Sequence, residues 1–267
     1  MKNKPAPRPS ELLLYDLEYL EEGLFPLVGV DEAGRGPLAG PVVAAAVILP
    51  LQGDYLYGQI DDSKKLDPAK REELAEYIKE VAVEWAVGVV NPPEIDALNI
   101  YQATLKAMEK ALAGISQGYR LALIDGNASN PALEPSRQKC IVKGDGTSLH
   151  IAAASILAKV TRDGMMVGFA KEYPGYSFAS HKGYATGEHF QALQENGPTP
   201  IHRFSFSPVW ESFLDKYRDK NDLGRIFSGQ LSLLNNGGTA WKREENYAQA
   251  RKIVQKAWSL TEDGRTG

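Results

Sequence analysis

A single cysteine, Cys140, stands among 267 residues. That excludes an intramolecular disulfide and any zinc site built on several thiolates, and it fits a reducing compartment. Within the short strand expected from Lys139 to Val142 it reads as a buried thiol. Long apolar stretches are also missing: none approaches the roughly 18 to 20 residues that span a bilayer. Near the N-terminus, Lys2 and Lys4 precede only the cluster Leu12 to Leu14, which Tyr15 and Asp16 break at once. A secretory signal needs a longer apolar core, so no export, no membrane association and a cytoplasmic location are expected. Net positive charge is lacking too, since 30 Lys and Arg face 34 Asp and Glu for a net of −4. The chain as a whole is therefore not a basic polyanion binder. No internal repeat is visible. What remains is the composition of an ordinary globule, 43% hydrophobic and 24% charged, at a length that suits one large domain or one domain with an extension.

The charge is unevenly spread. Residues 1–32 carry three Lys/Arg and seven Asp/Glu, whereas residues 137–203 carry eight Lys/Arg, five Asp/Glu and all four histidines. A basic stretch beside an acidic one is compatible with holding a polyanion and a metal together, and equally with plain surface variation.

The pattern predicts an irregular start with a short acidic helix before residue 25, then strands at Leu27 to Asp31 and Val42 to Leu49. The second strand is apolar on both faces and so belongs inside a sheet. Gly40-Pro41 between them is turn material and suggests a hairpin. Asp67-Pro68 caps and starts a helix to about Val81, and Val83 to Val90 is a third strand. Pro92-Pro93 opens one helix through about Ala113. Short strands follow at Leu121 to Ile124 and Lys139 to Val142, then a long helix from Ser148 to about Tyr173. Thr186 caps a helix through Glu195, and Ser207-Pro208 starts another through about Lys220. Residues 221–238 read as a linker and Trp241 to Trp258 as a last amphipathic helix. The order implies an α/β architecture around a mixed sheet.

Three segments end core elements with carboxylates. Asp31-Glu32 closes the first strand, Asp125 closes the fourth, and Asp145 lies between glycines just ahead of the long helix. Neighbours on a strand point to opposite faces, so Asp31 and Glu32 share one ion only if the strand end twists or bulges, or if one approaches from the side. Clustered carboxylates repel unless cations separate them, and hard oxygen donors suit Mg²⁺ or Mn²⁺. Asp-Gly steps are also common turn chemistry, and the pattern by itself does not bring the three segments together. The loop Gly34-Arg35-Gly36 matches neither a P-loop nor a dinucleotide fingerprint. Its two glycines admit close approach of backbone amides to a ligand, or simply a tight turn.

In order along residues 27–209, several blocks resemble the bacterial ribonuclease HII family. They are Gly29-Val-Asp-Glu-Ala-Gly-Arg-Gly36 with Leu38-Ala-Gly-Pro-Val-Val43, Asp62-Ser-Lys-Lys-Leu66, Ile124-Asp-Gly-Asn127 and Lys143-Gly-Asp145. Ile151-Ala-Ala-Ala-Ser-Ile-Leu-Ala-Lys159, Arg162-Asp163, His181-Lys-Gly-Tyr184 and Arg203-Phe-Ser-Phe-Ser-Pro208 continue the series. The resemblance implies an RNase H-like fold, a central mixed five-stranded sheet flanked by helices, over residues 25–220. Residues 1–24 would be a lead-in and 221–267 a linker and helical extension. It implies a four-acid site of Asp31, Glu32, Asp125 and Asp145 that binds two Mg²⁺ or Mn²⁺ ions once substrate is present. The implied reaction cuts the RNA strand of RNA–DNA hybrids, and cuts 5′ of a single ribonucleotide in duplex DNA, leaving a 5′-phosphate and a 3′-hydroxyl.

By the same resemblance, Gly34, Arg35 and Gly36 would read the ribose 2′-hydroxyl, the group that separates RNA from DNA. Tyr184 would stack on the sugar that follows. Ser63, Lys64, Asn99, Lys143, Ser155, Lys159 and Lys182 would contact the nucleic-acid backbone, which positions a duplex without specifying sequence. His181 and His202 have no metal role in this reading and are expected to be structural. No sliding-clamp docking motif is seen at the C-terminus, and a monomer is expected. Only about 26 residues precede the first motif, which argues against the related ribonuclease HIII type with its preceding substrate-binding domain. Two other readings compete. A non-catalytic binding module of this fold would have lost an acid, and a shape-reading metal nuclease would have no use for Gly34-Arg35-Gly36.

Overall fold

A computed structural model of the chain describes residues 11–50, 58–61, 63–217, 247–248, 250–255 and 258. They form two compact units. The first takes the chain up to Arg35, Val42–Val90 and Tyr101–Gly164, and the second takes Gly36–Pro41, Asn91–Ile100 and the chain from Met165 onward.

The first unit holds a five-stranded mixed sheet. Its strands are β1 (Leu27–Ala33), β2 (Val42–Ile48), β3 (Glu84–Val90), β4 (Leu121–Asp125) and β5 (Gln138–Ile141), in the order β3-β2-β1-β4-β5. β1 pairs antiparallel with β2 and parallel with β4. β2 and β3 are antiparallel, and β4 and β5 are parallel. Every residue of β2 is buried, as its unbroken apolar run predicts for a strand flanked on both sides. Cys140, expected to be buried, is only partly so, because β5 is an edge strand and gives the thiol less cover.

Two glycines let helices press onto the sheet. A Cβ on Gly29 would stand 2.1 Å from the His150 carbonyl carbon, at the start of α5 (Leu149–Glu172), and one on Gly88 would stand 2.0 Å from the Ala107 carbonyl oxygen of α4 (Ile100–Ala113). Gly29 pairs with Val47, so its face is the one where Ala45 and Val47 pack with α2 (Pro68–Val81) and the alanine-rich part of α5. Gly88 pairs with Ala44, on the opposite face. Helices therefore cover both faces. α2 starts as predicted, with the Asp67 carboxylate accepting the Lys70 N–H at 2.9 Å and Pro68 in the first turn. Helix α1 (Glu11–Glu21) sets the buried Asp16 carboxylate at the start of α5, where it bonds the His150 N–H at 3.0 Å and Nδ1 at 2.7 Å. An anion there satisfies an otherwise open backbone donor and complements the helix dipole.

The second unit contains α3 (Pro92–Leu98), α6 (Phe178–His181), α7 (Gly187–Asn196) and α8 (Ser207–Tyr217). The single helix expected from Pro92 to Ala113 is two, because Asn99 adopts φ 71° and ψ 162°, a conformation no helix accepts. Tyr176, Phe178, Phe204, Val209 and Phe213 form the core, together with Ala250 and Val254 from a helical segment near the C-terminus. Arg251 of that segment ion-pairs with the buried Asp96 of α3, which also accepts the backbone N–H groups of Phe204 and Ser205. Part of the expected C-terminal helix thus packs on this unit. The expected linker at 221–238 lies outside the described residues. No helix among the described residues is long and apolar enough to cross a membrane.

Candidate active site

Three parallel strands, β1, β4 and β5, end on the same side of the sheet of the first unit, and each delivers acid there. Val30 pairs with Ile124, so Asp31 and Asp125 leave neighbouring strand ends together. Asp125 pairs with Ile141, and four residues past Ile141 comes Asp145, in a 3-10 turn over Gly144–Gly146. Open sheets bind ligands at this carboxyl edge.

The acids are held by hydrogen bonds from the chain. The Glu32 N–H donates to Asp31 Oδ1 at 2.7 Å, and the Gly144 N–H donates to Asp125 Oδ1 at 2.6 Å, which pins the turn after β5 to the end of β4. The Ser155 hydroxyl of α5 bonds the Asp31 carboxylate. Ser155 and Ser63 hydroxyl oxygens are 2.9 Å apart, and both residues are buried. Arg71 of α2 clamps the loop that carries Ser63, donating to the carbonyls of Ser63 at 2.9 Å and Leu66 at 2.7 Å. On the same loop, Lys64 Nζ lies 2.9 Å from Asp145 Oδ2 with its side chain 79% exposed. Asp62 of this block is outside the described residues.

Electrostatics set this cluster apart. Asp31 is 4% exposed. Burial first, then the charges of Glu32 and Asp125, hold its carboxyl well above the usual range. Glu32 is pushed up by burial and by Asp125, against relief from Arg35 and Lys64. Asp125 is raised by burial and by Asp145, against the Gly144 N–H and Lys64. Each acid feels the next, so one electrostatic group spans all three segments. Its cationic neighbours are weak: Arg35 Nη1 reaches Glu32 at 3.4 Å from a side chain 55% exposed, and such contacts are largely screened.

An all-oxygen, like-charged donor set of this kind suits a hard divalent cation. Among the described residues, no three His, Cys, Asp or Glu side chains form a ready-made cage for one ion. Mg²⁺ characteristically takes one or two carboxylates and completes its shell with water and substrate phosphate, so a looser set is the expected form of such a site.

The remaining residues singled out from the sequence divide between the units. Gly34, at φ 98°, makes the turn after β1 in a conformation that side chains disfavour. Lys143 is exposed at φ 57°, and Lys159 pairs with Asp163 at 2.8 Å. In the second unit, the exposed Tyr184 ring lies 3.9 Å from where a Cβ on Gly36 would stand. Lys182 takes φ 52° and Asn99 φ 71°. Asn99, Lys143 and Lys182 are three of the four non-glycine residues with positive φ among those described, a conformation that costs energy and gathers at functional sites.

A family model described as Ribonuclease HII matches residues 28–209. The chain belongs to the ribonuclease HII family. Ribonuclease HII of Endomicrobium trichonymphae is 51% identical to it over 200 residues, which cover 75% of this chain and 94% of the relative. Among solved structures, the ribonuclease H2 from Pyrococcus horikoshii OT3 aligns with a TM-score of 0.60 at 24% identity, covering 73% of this chain and 99% of that one. Bst-RNase HIII in complex with Mn²⁺ aligns at 0.57 and 17% identity, over 82% of this chain and 77% of that one. At these identities the two likenesses speak for the fold, an RNase H-like α/β sheet. Family membership makes the chain a ribonuclease H, a metal-dependent endonuclease acting on RNA–DNA hybrids. The match begins inside β1 and ends inside α8, so α1 with its Asp16 and the segment carrying Arg251 lie beyond it.

Proposed function

We propose that the chain hydrolyses the RNA strand of RNA–DNA hybrids and cuts on the 5′ side of single ribonucleotides embedded in duplex DNA. The products are 5′-phosphate and 3′-hydroxyl ends, and the role is removal of misincorporated ribonucleotides from DNA. One observation carries the reading: Asp31, Glu32, Asp125 and Asp145 form a single electrostatic group at the carboxyl ends of three parallel strands. In this reading the four acids hold two divalent ions, Mg²⁺ or Mn²⁺, with substrate bound. Such ions supply the positive charge that activates a water and steadies the leaving oxygen in phosphodiester hydrolysis.

The chain's own residues do the rest. Ser155, backed by Ser63, orients the Asp31 carboxylate, and the Gly144 N–H orients Asp125. Lys64 holds Asp145 until substrate and cation arrive. Gly34, Arg35 and Gly36 follow Glu32 after one residue, Ala33, and they read the 2′-hydroxyl through backbone groups. Tyr184, beside Gly36, stacks on the sugar after the ribonucleotide. Asn99, Lys143, Lys159 and Lys182 position the phosphate backbone. The catalytic domain in this reading is residues 25–220, acting as a monomer.

The test is cleavage of a labelled duplex with one ribonucleotide beside an all-DNA duplex, with Mg²⁺, Mn²⁺ or chelator. Metal-dependent cutting only 5′ of the ribonucleotide is expected. Cutting of continuous hybrids but not of the single-ribonucleotide duplex would keep the metal site and overturn the roles of Gly34 to Gly36 and Tyr184. Cutting of all-DNA branched substrates in place of both would favour a shape-reading nuclease.

A further inference from the structure

We infer that His202 and His189 form a directional pair of neutral imidazoles that fixes the backbone carbonyl of Tyr184, making both histidines positioning residues for the sugar-stacking ring. The inference rests on the proposed role of Tyr184.

The geometry allows one proton arrangement. The Thr199 backbone N–H, which can only donate, meets His202 Nδ1 at 2.8 Å. His202 therefore carries its proton on Nε2. That atom lies 2.9 Å from His189 Nε2, which must accept. The His189 proton is then on Nδ1, 2.9 Å from the Tyr184 carbonyl oxygen, which can only accept. A backbone donor at one end and a backbone acceptor at the other thus fix both tautomers. Protonating His189 would set two N–H groups against each other between the rings, and protonating His202 would set an Nδ1–H against the Thr199 N–H.

Everything around the pair favours neutrality. Both rings are fully buried. They pack against Tyr176 and Phe178, and His181 stacks on His189 with ring centroids 4.6 Å apart. Arg251 adds positive charge near His202 and bonds its backbone carbonyl at 3.0 Å. His181 serves the same loop, with its Nδ1 accepting the Gly183 N–H at 3.1 Å. The two residues before Tyr184, Lys182 and Gly183, have positive φ. The backbone bonds of the turn, Tyr184 N–H to the His181 carbonyl and Thr186 N–H to the Tyr184 carbonyl, both at 2.9 Å, leave the His189 Nδ1–H as the side-chain donor that fixes the Tyr184 carbonyl from the neighbouring helix.

The experiment compares kcat/KM on a single-ribonucleotide duplex with kcat/KM on a continuous hybrid, in the full-length chain with Mg²⁺. Tyr184→Ala should lower the ratio of the two about tenfold, the scale of one lost aromatic stack. His189→Phe, which keeps the ring volume and loses both hydrogen bonds, should lower the ratio about fivefold, less than losing the stack outright. His189→Asn keeps a donor near the Nδ1 position and should recover part of the loss. Adding His189→Phe to Tyr184→Ala should change the ratio no further. An equal loss on both substrates, or a normal ratio in His189→Phe while Tyr184→Ala is impaired, overturns the inference and leaves the Tyr184 reading standing. A normal ratio in Tyr184→Ala removes both. Should the phenylalanine variant fail to fold, ¹⁵N NMR of the wild-type chain decides. His202 protonated at Nε2 and His189 at Nδ1 are expected, and the opposite tautomer in either ring refutes the pair.

Discussion

Four carboxylates gather at the strand ends of the first unit, and three imidazoles gather in the core of the second. Both groups are largely buried and densely ionisable, yet their chemistry runs in opposite directions. His202 and His189 are hydrogen-bonded in a run from one backbone group to another, and burial holds both of their pKa values down. The carboxylates have too few donors for their charge, and burial and mutual repulsion push three of them upward. One cluster is complete as it stands. The other is complete only when positive charge comes from outside. A buried titratable group is thus no guide to chemistry until its partners are counted.

The largest break in this contrast comes from Asp31→Asn. Cleavage should fall by at least about 10³-fold, since metal charge at the reacting phosphate is worth several kcal/mol. Meanwhile the metal-free protein should become more stable, because a repelling charge is gone. A gain of about 1 kcal/mol corresponds to roughly 2–4 °C in melting temperature for a chain of this size. Single-turnover cleavage and thermal unfolding in chelator read the two effects. An active variant, or one that melts lower, would remove Asp31 from the site as drawn.

Acid should act on the histidine cluster next. Burial pulls the His189 pKa down to about 4, below its unfolded value near 6.5. The unfolded state therefore binds a proton first, and stability falls as pH drops from about 6.5 towards 4, by about 3 kcal/mol for this ring. His202, depressed by burial and by His189, adds to the same trend. Among the described residues, Arg251 and Glu188 are charged groups that face the pair, and the His181 ring lies beside it. The carboxylates run the other way. The folded pKa values of Asp31, Glu32 and Asp125 are raised, so the metal-free site gains stability as pH falls through them. Urea unfolding of wild type and His189→Phe across this range separates the two, and equal slopes would refute the assignment to His189.

The smallest expected effect is that of cation alone. Mg²⁺ or Mn²⁺ at ten times its dissociation constant should stabilise the wild-type chain by about 1.4 kcal/mol. Asp31→Asn should show little of this, as differential scanning calorimetry would record.

Much of this was legible in the chain. The unbroken Val42 to Leu49 run marks an inner strand, and Asp67-Pro68 marks a helix start by its own chemistry. The acids were visible as strand ends, but their meeting was not. It depends on β1, β4 and β5 lying side by side in parallel, and pairing order is a tertiary property. The break at Asn99 was hidden because Ile100 continues the apolar period across it. The histidines at 181, 189 and 202 lie on α6, on α7 and on the loop after α7, so nothing local announced that they meet. The part-exposure of Cys140 likewise follows from which strand lies at the edge.

Gly29, two residues before Asp31, touches no reacting group. A methyl group there would sit 2.1 Å from the backbone of α5, and the helix would have to retreat by about 1 Å or more to accept it. Ser155, which orients Asp31, rides on that helix. A displacement of about 1 Å at a positioned group is worth about 10² in rate. Position 29 therefore works as a shim, and the thickness it sets is that of a single hydrogen atom. In a mutational scan it would look like a catalytic residue, although all it contributes is the absence of a side chain.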